Sequence, residues 1–364
     1  MKDEDYMQLA INIAKVGIGQ TNPNPVVGAV IVNDGQVIGI GAHLKAGEAH
    51  AEVHALQMAG DKAKNSTIYV TLEPCSHFGK TPPCADLLIK SKVKRVVIGT
   101  TDPNPQVSGK GIKKLREAGI EVDLGIMKLQ ADELNPVYYH YMDTGMPYVT
   151  LKSAISLDGK IATSTGESKW ITGERARLDV HMYRQIHDAI LVGVNTVITD
   201  NPSLTTRLPN GNSRNPIRVI LDSSLRTPLH SNVIQDDLAS TWIIVNKSVK
   251  QEKMKPFIEK GIRIIPIQDD IRSIKNVLKL LVENGISSVF VEGGAEINGS
   301  FLKERAINQV LTYIAPKLIG GKRAPTSIGG NGIEHMADVF QLSVKSVEQL
   351  GDDIKIVSEP IRLG

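Results

Sequence analysis

The sequence predicts an α/β protein with two domains. Its 364 residues suffice for two ordinary domains. Runs rich in β-forming residues alternate with helical patterns along nearly the whole chain, which indicates sheets with helices packed on them. One such series ends at "DTGMP", residues 143–147, and a second begins directly after it. We therefore predict one domain over residues 1–145 and another over residues 146–364.

The first half is predicted to contain a hairpin followed by alternating helices and strands. An initial helical pattern, "DEDYMQLAINIAKVG", ends at Gly17, and Asn-Asp-Gly at 33–35 marks the turn of a hairpin. The later elements are helix "HAEVHALQMAG", strand "STIYVTLEP", helix "CADLLIKS", strand "VKRVVIGT", helix "GKGIKKLREAG", strand "IEVDLG" and a helix over 128–143. This alternation predicts a largely parallel sheet.

The second half repeats the alternation. It begins with strand "YVTLKSAISLDGKIAT", and strand "SSVFVEGG" leads into a helix from about residue 296. The other predicted elements are a helix over 173–186, strands "DAILVG", "IRVILDSS" and "STWIIVN", a helix over 270–284, and strands "QVLTYIAPKLIG" and "DDIKIVSEPI". A second α/β domain follows from this order.

Composition and charge narrow the class of protein. Hydrophobic residues make up 41% of the chain and charged residues 22%, as in soluble globular proteins. A net charge of +3 without a long basic block argues against nucleic acid as a partner. No apolar run is long enough to span a membrane, and the acidic start "MKDEDYMQLA" is not a signal peptide. We expect a cytoplasmic protein, in which two cysteines form no disulfide framework.

Both cysteines lie in one proline-rich loop, "PCSHFGKTPPC", downstream of "HAEVHA". His50, Cys75 and Cys84 are ligand types that zinc prefers, and three protein ligands are typical of a catalytic site whose fourth position holds water. Zinc lowers the pKa of such a water to about 7. Cys84 follows two prolines at a predicted helix start, which favours a thiolate. The combination predicts one Zn²⁺ per chain, although either cysteine alone would more often be a buried, inert thiol.

Glu52 is the predicted proton carrier of this site. Residues two apart in a helix interior point about 200° apart, so His50 and Glu52 face one site only where the helix begins. His50 and His54 have metalloprotease spacing, but that motif needs Glu directly after the first histidine, where Ala51 stands. We therefore interpret His54 as a packing residue or a neighbour of the ligands. In zinc deaminases H-x-E precedes P-C-x-x-C, and the glutamate carries protons without binding metal. Here eight residues separate the cysteines.

Longer segments resemble the bifunctional riboflavin biosynthesis deaminase/reductase family, often called RibD or RibG. "HAEVHA", "TLEPCSHFGKTPPC" and "DPNP" are similar to its deaminase domain. "PYVTLKSAISLDGKIAT", "SKWIT", "DNPSLTTR" and "VEGGAEINGSF" are similar to its reductase domain. The resemblance covers nearly the whole chain and includes the long cysteine spacing. It implies an N-terminal cytidine-deaminase-like three-layer α/β/α domain and a C-terminal dihydrofolate-reductase-like α/β domain.

The resemblance implies two successive reactions on a phosphoribosyl pyrimidine. A zinc-dependent deaminase converts 2,5-diamino-6-(5-phosphoribosylamino)pyrimidin-4(3H)-one to 5-amino-6-(5-phosphoribosylamino)uracil, and an NADPH-dependent reductase then converts the ribosyl group to ribityl. In the first reaction Glu52 takes a proton from the attacking water and delivers it to the leaving nitrogen. The implied substrate contacts of the deaminase are Asn24, His43, His77, Lys80, Asp102 and Asn104. Taken alone, Asn-Pro pairs are ordinary turn formers and a lone lysine is usually solvated.

The resemblance also implies two sets of contacts in the second domain. The implied NADPH contacts are Ala154, Trp170, Thr196, Asp200, Ser223, Gly294, Ala295, Glu296, Ile297, Asn298, Gly299 and Ser300. The implied substrate contacts are Lys152, Ser168, Arg184, Leu204, Arg207 and Glu292. Backbone amides at a strand–Gly-Gly–helix junction can cradle a phosphate, although "VEGGAEINGSF" is not the Rossmann pattern and a tight turn is the simpler interpretation.

Several roles in this domain stay open at the level of sequence. Arg184 and Arg207 suit the ribose phosphate because a guanidinium forks onto phosphate oxygens, whereas an exposed arginine is the alternative for each. Trp170 would pack on the nicotinamide or be an ordinary core aromatic residue. The proton that must accompany hydride transfer to the sugar is supplied or organised by one of three residues. These are Lys152, Asp200 and Glu292. The candidate anchor of the NADPH 2′-phosphate is Arg226.

Other functions remain as alternatives. One is a zinc deaminase of another nucleoside or of tRNA with an unrelated C-terminal domain, and another is a structural zinc module that only binds partners. The cysteine spacing and the reductase-like half argue against the first, and the count of three ligands with a nearby glutamate argues against the second. The resemblance further implies a homo-oligomer, with a tetramer as the expected state.

Overall fold

The computed structural model describes residues 1–77, 82–105, 107–209, 211, 213–268 and 270–361. The chain divides into two compact units, Met1–Gly145 and Met146–Gly364. Each unit has one main sheet with helices packed on it, which confirms the predicted α/β class. None of the helices in these described ranges is long and apolar enough to cross a bilayer.

The first unit has a five-stranded sheet. Its strands are β1 (Gly28–Asn33), β2 (Gln36–Ala42), β3 (Thr67–Leu72), β4 (Arg95–Thr100) and β5 (Glu121–Leu124). Its helices are α1 (Asp3–Ala14), α2 (Ala51–Ala59), α3 (Cys84–Lys90), α4 (Lys110–Glu117), α5 (Lys128–Asp132) and α6 (Pro136–Thr144). The strand order is β2-β1-β3-β4-β5. β1 is antiparallel to β2 and β3, while β3, β4 and β5 are parallel, so the sheet is mixed.

Helices cover both faces of this sheet. On one face Met7 of α1 packs in a buried cluster with Val30 of β1. On the other face Ile31, the next residue of the same strand, packs with Ala55 of α2 and Leu88 of α3. Because side chains alternate along a strand, both faces of β1 are apolar and both need a helical layer. The unit is therefore the three-layer α/β/α arrangement that the family resemblance implies.

The predicted helix over 128–143 is wrong in one respect, because the structure has two helices there. The chain leaves helical geometry at Asn135, where φ is −131° and ψ is 46°, directly before Pro136. Proline disfavours helical conformation at the preceding residue. The side chain of Asn135 accepts a hydrogen bond from the Val26 N–H at 2.7 Å and donates one to the Val26 carbonyl at 2.9 Å. The break thus ties the end of this unit to the segment before β1.

The second unit has a nine-stranded sheet. Its strands are β6 (Tyr148–Ser156), β7 (Ala189–Gly193), β8 (Ile217–Leu221), β9 (Thr241–Asn246), β10 (Arg263–Ile267), β11 (Ser288–Gly293), β12 (Gln309–Ala315), β13 (Leu342–Leu350) and β14 (Asp353–Pro360). Its helices are α7 (Glu174–Ile186), α8 (Val194–Asp200), α9 (Asn232–Gln235), α10 (Gln251–Ile258), α11 (Ile274–Glu283) and α12 (Ala295–Lys303). The strand order is β10-β9-β8-β7-β11-β6-β12-β14-β13.

Seven of these strands, from β10 to β12 in the sheet order, are parallel, and β14 and β13 add an antiparallel edge. The sequence does not predict β10 or β13, because β10 contains a proline and β13 is mostly polar and exposed. The carboxyl ends of β6, β7, β8 and β11 meet at one edge of the sheet. Ligand sites of parallel α/β sheets lie at such an edge.

Candidate active sites

His50, Cys75 and Cys84 come together at the carboxyl end of β3. His50 directly precedes α2, Cys75 follows β3, and Cys84 is the first residue of α3. Nδ1 of His50 lies 3.7 Å from Sγ of Cys75 and 3.3 Å from Sγ of Cys84. Ligand atoms on one tetrahedral zinc ion lie roughly 3.5 Å apart, so the spacing and the donor set fit Zn²⁺. Within the described residues no fourth His, Cys, Asp or Glu joins the group.

The two thiols differ in acidity. A hydrogen bond from the Cys84 thiol, with help from His50 and despite burial, lowers the pKa of Cys75 to about 4. The backbone N–H of Cys84 also donates to Sγ of Cys75, at 3.3 Å. The same pairing, together with burial, raises the pKa of Cys84. The site thus stabilises one thiolate by itself, and a bound cation would deprotonate the second.

Glu52 is the second residue of α2 and its side chain is buried beside the two thiols. His50 precedes the helix in an extended conformation, with φ −76° and ψ 166°. This entry into the helix lets an imidazole and a carboxylate two residues apart serve one site. Burial, followed by the nearby charge of Cys75, raises the pKa of Glu52. A carboxylate of raised pKa beside the ligands is suited to accept and release a proton.

Asn24 and His43 form a chain of contacts that leads to His50. Nδ1 of His43 lies 3.1 Å from the carbonyl of Ala49 and therefore carries the proton, and Nε2 lies 3.2 Å from the side-chain amide nitrogen of Asn24. The His43 ring is 5.2 Å from the His50 ring and nearly perpendicular to it. Burial lowers the pKa of His43, which keeps this ring neutral. Of the predicted contacts, His43 thus lies next to His50, and Asn24 lies next to His43.

Asp102 and Asn104 lie in the segment after β4. Oδ1 of Asp102 accepts hydrogen bonds from the backbone N–H of Asn104 at 2.8 Å and from the Tyr138 hydroxyl at 2.9 Å. Burial is the main cause that raises the pKa of Asp102, and His77 opposes it, so His77 lies close enough to interact. Lys80 lies outside the described residues. Sequence reasoning missed Tyr138, since a tyrosine in a helix carries no signal of a contact 36 residues away.

Two cavities, of about 720 and 530 Å³, lie at the carboxyl edge of the second sheet. Ser168, Thr196 and Asp200 line both of them. The larger cavity is further lined by the predicted residues Lys152, Ala154, Trp170, Arg184, Leu204, Arg207, Glu292, Gly294 and Asn298. The smaller cavity is further lined by Ser223, Gly294, Ala295, Glu296, Ile297 and Ser300, and also by Arg226. The predicted cofactor contacts and the predicted substrate contacts therefore line two cavities that share several residues.

A buried charge cluster forms one side of the larger cavity. Arg184 binds Glu292 through two hydrogen bonds, Nε to Oε1 at 2.5 Å and Nη2 to Oε2 at 3.0 Å, and Nζ of Lys152 lies 3.8 Å from Oε2. Burial opposes the charge of Glu292, but Arg184 and Lys152 outweigh it and lower the pKa of Glu292 to about 2. Burial lowers the pKa of Lys152. Glu292 is thus ionised, and Lys152 gives up its proton more easily than an exposed lysine does.

The arginines predicted for the phosphate are placed differently. Arg184 is engaged by Glu292 and by the Thr205 carbonyl, to which Nη1 donates at 2.8 Å. Arg207 is exposed at the cavity rim, and its side chain donates only to the Thr205 hydroxyl among the bonds described, at 2.9 Å. Of the two, Arg207 has the freer guanidinium for an anion.

Trp170 and the Gly-Gly turn also define these cavities. The Trp170 ring is 62% exposed, with the Arg177 guanidinium 4.7 Å from its centroid, so it is not a core aromatic residue. Gly293 and Gly294 have φ of +50° and +82°, and a Cβ on Gly293 would lie 2.2 Å from Asn298 Oδ1. The turn between β11 and α12 therefore requires glycine.

Gly299 differs from the other predicted cofactor contacts because neither cavity includes it. A Cβ at this position would lie 2.3 Å from the carbonyl oxygen of Gly329. Gly299 therefore allows α12 to pack closely against the 329–330 backbone.

Comparisons with known proteins identify the family of each part of the chain. Residues 1–100 match the family described as cytidine and deoxycytidylate deaminase zinc-binding region, and residues 147–356 match RibD C-terminal domain. The riboflavin biosynthesis protein RibD of Bacillus amyloliquefaciens is 53% identical over 98% of this chain and 96% of its own length. That of Aquifex aeolicus is 48% identical over 97% of both chains. The solved structure of Acinetobacter baumannii RibD superposes with a TM-score of 0.89 at 42% identity, covering 99% of each chain.

Proposed function

The chain belongs to the RibD family of bifunctional riboflavin biosynthesis enzymes, and from this premise we propose which residues carry its deaminase and reductase reactions. A relative from Thermotoga maritima, 37% identical with a TM-score of 0.86, is titled diaminohydroxyphosphoribosylaminopyrimidine deaminase/5-amino-6-(5-phosphoribosylamino)uracil reductase. We assign the same two substrates to this chain. The convergence of His50, Cys75 and Cys84 beside Glu52 carries the assignment of the first reaction, and it argues against a purely structural zinc module.

In the deaminase, His50, Cys75 and Cys84 would hold Zn²⁺, which would supply an activated water for attack on the ring carbon that bears the amine. Glu52 accepts the proton of that water and passes it to the departing nitrogen. The buried position and raised pKa of Glu52 suit it both to accept a proton from water and to donate it to the leaving nitrogen, because the carboxyl group is neither strongly acidic nor solvated. Neutral His43 orients Asn24 through their 3.2 Å contact, and Asn24 faces the pyrimidine ring. Asp102, Asn104, His77 and Lys80 complete the substrate contacts.

In the reductase, NADPH when bound supplies the hydride for C1′ of the sugar. The smaller cavity, lined by the start of α12, would hold the cofactor phosphates, and Trp170 would contact the nicotinamide. Lys152 is the proposed proton donor among the three candidates, because its pKa is lowered while that of Glu292 is lowered to about 2. Glu292 holds no proton to give, and it instead orients Lys152 and Arg184. Arg207 binds the ribose phosphate at the cavity rim.

A coupled assay tests the two assignments together. The purified chain receives the diaminopyrimidine ribosyl phosphate and NADPH, and ammonia release is followed alongside the loss of nicotinamide absorbance. We expect ammonia first and oxidation of NADPH only after it. Alanine variants of Lys152, Asp200 and Glu292 then rank the proton donor. Wild-type reductase rates in all three variants would exclude this part of the proposal. Ammonia release from cytidine or tRNA, but not from this substrate, would overturn the assigned substrate.

We also propose a cytoplasmic homo-oligomer, with a tetramer as the state that the family resemblance implies. Edge strand β13 leaves its backbone unpaired on one side and exposes Val344 and Val347, which are 58% and 62% exposed. Such an edge is a ready surface for pairing with a second copy. Two free thiols close to one another also fit a compartment that keeps cysteines reduced. Analytical ultracentrifugation of the wild type and of Val347→Lys tests the assembly, since a monomeric wild type would contradict it.

A further inference from the structure

Glu73 lies at the junction between the metal-binding turn and the segment that carries Asp102 and Asn104. It follows β3 and precedes Cys75 by two residues, and its side chain is only 3% exposed. Its backbone N–H donates to the Thr100 carbonyl at 2.9 Å, so the chain is still paired with β4 at this point. A buried carboxylate needs partners, and those of Glu73 come from the opposite segment.

The partners of Glu73 are four backbone N–H groups. Oε2 accepts from Asp102 at 3.4 Å and from Gly109 at 3.0 Å. Oε1 accepts from Gly111 at 3.0 Å and from Ile112 at 3.2 Å. The four donors span both ends of the 102–112 segment, so this single side chain holds the segment closed. Hydrogen bonds to an ionised acceptor are also the stronger kind.

Close packing supports the same contact. Gly111 lies so near the metal-binding turn that a Cβ on it would be 2.1 Å from the Pro74 carbonyl oxygen and 3.2 Å from Oε1 of Glu73. Gly109 has φ +73°, which lets the chain turn its N–H toward Glu73. The segment that follows β4 is therefore shaped around the residues directly before Cys75.

We propose that Glu73 is a positioning residue of the deaminase, which sets the distance between the metal ligand Cys75 and the substrate contacts Asp102 and Asn104. This inference rests on the proposed roles of Asp102 and Asn104 in substrate binding. Glu73 fixes the backbone at Asp102, and the Tyr138 hydroxyl fixes the Asp102 carboxylate at 2.9 Å. The Asp102 carboxylate in turn accepts a hydrogen bond from the backbone N–H of Asn104 and so holds Asn104 in place. Glu73 itself touches neither substrate nor metal.

Glu73→Gln is the direct test. An amide oxygen can accept from two of the four N–H groups, while the amide NH₂ faces the other two and repels them. We expect a rise of about tenfold in KM for the diaminopyrimidine, with kcat changed less, zinc content retained and the reductase rate on the deaminated substrate unchanged. Tyr138→Phe should raise the same KM by a smaller factor.

Asp3→Asn is the matched control for lost stability. Asp3 accepts from Tyr69 at 2.6 Å and from Arg95 at 2.7 Å, at the opposite end of the same strands. If Asp3→Asn lowers Tm as much as Glu73→Gln but leaves KM unchanged, the KM effect belongs to the segment and not to stability. KM is measured after Zn²⁺ has been added back to full occupancy, and an unchanged KM in zinc-loaded Glu73→Gln overturns the proposal.

Two further measurements keep the test decisive. If Glu73→Gln gives no folded protein, Glu73→Asp replaces it, since the shorter carboxylate keeps the charge but cannot reach all four donors; unchanged KM in that variant counts equally against the proposal. Asp102→Asn tests the substrate contact itself. A wild type that releases no ammonia would refute the proposed function. An active wild type whose KM is unchanged by substitution of Glu73 would refute only this inference.

Discussion

The two units build their sites from different parts of the chain. In the first unit the ligands stand where elements begin or end: His50 before α2, Cys75 after β3 and Cys84 at the start of α3. In the second unit the central charges, Lys152 and Glu292, belong to neighbouring strands β6 and β11. The first site thus depends on turns for its geometry, whereas the second is held by the sheet itself.

The two sites also differ in how charge is balanced. The first site places the Cys75 thiolate, a second thiol and a buried carboxyl group around His50, whose pKa is raised by its hydrogen bond with Cys75. In the second site, Glu292 is matched by Arg184 and Lys152, and Arg207 adds further positive charge. The second site is therefore complete without a metal and is biased toward anions. We therefore expect that an electrostatic change confined to one site can remove one activity and leave the other intact.

Removal of metal should separate the two units most strongly. After dialysis against a chelator, we expect ammonia release to fall to background, while the reductase rate on the deaminated substrate stays within about twofold, because only the proposed deaminase reaction depends on zinc. Readdition of Zn²⁺ should restore deamination. A parallel loss of both activities would break the comparison.

Glu52→Gln should have the next largest effect on the rate of ammonia release. The amide cannot carry a proton between water and the leaving nitrogen, and general acid–base catalysis contributes about 10²–10⁴-fold. Ammonia release should fall by this factor while zinc content and reductase rate are unchanged. Glu117→Gln, on the exposed face of α4, is the matched control. Normal turnover by zinc-loaded Glu52→Gln would remove Glu52 from the mechanism.

Glu292→Gln should have the converse effect. It leaves Arg184 and Lys152 without their buried counter-charge, which costs about 3 kcal/mol of stability in the second unit and most of the reductase activity. Deamination should persist below the new unfolding temperature. Thermal unfolding and both rates measure this, with exposed Glu283→Gln as the control. Equal damage to both activities would show that the units do not act independently.

Arg207→Gln should affect only the reductase reaction, and its effect should be smaller than that of Glu292→Gln. Loss of a charged contact to the phosphate should raise KM for the reductase substrate by about tenfold or more, with kcat little affected. The deaminase KM should not move, and exposed Lys303→Gln should affect neither reaction. An unchanged KM would assign the phosphate to other residues.

Arg226→Gln should give the smallest effect. Arg226 lines the smaller cavity, and its guanidinium donates to the Asn195 side chain at 2.9 Å at an exposed position. If it binds the 2′-phosphate, KM for NADPH should rise a few-fold and KM for NADH should stay constant. Equal shifts for both cofactors would point to a role in shaping the cavity instead.

Much of this arrangement follows from local signals in the sequence. Apolar runs that alternate with helical patterns indicate the α/β class, because a parallel strand covered by helices on both faces needs apolar residues on both faces. The His-x-Glu and paired-cysteine motifs identify the ligands, because zinc accepts few residue types and needs them at helix starts and turns. The Gly293–Gly294 pair marks a turn of positive φ, since only glycine adopts it without strain.

Other features depend on contacts between distant residues. Tyr138 reaches Asp102 across 36 positions, and Arg184 reaches Glu292 across 108, so no local pattern indicates either pair. The same is true of Glu73, which in sequence is one carboxylate before a proline. Its role appears only when β3 and β4 lie side by side and bring four N–H groups to it.

The sequence by itself determined the class of fold and the candidate metal-binding residues, because each leaves a short-range pattern of residue types, and its resemblance to the RibD family implied the two reactions. Only the tertiary structure decided that Arg184 is engaged by Glu292 while Arg207 is freer, that Trp170 is exposed, and that Gly299 packs instead of lining a cavity. The physical reason is that charge pairing, exposure and close packing depend on which chain segments meet, and that is set by the sheet order and not by neighbours in sequence.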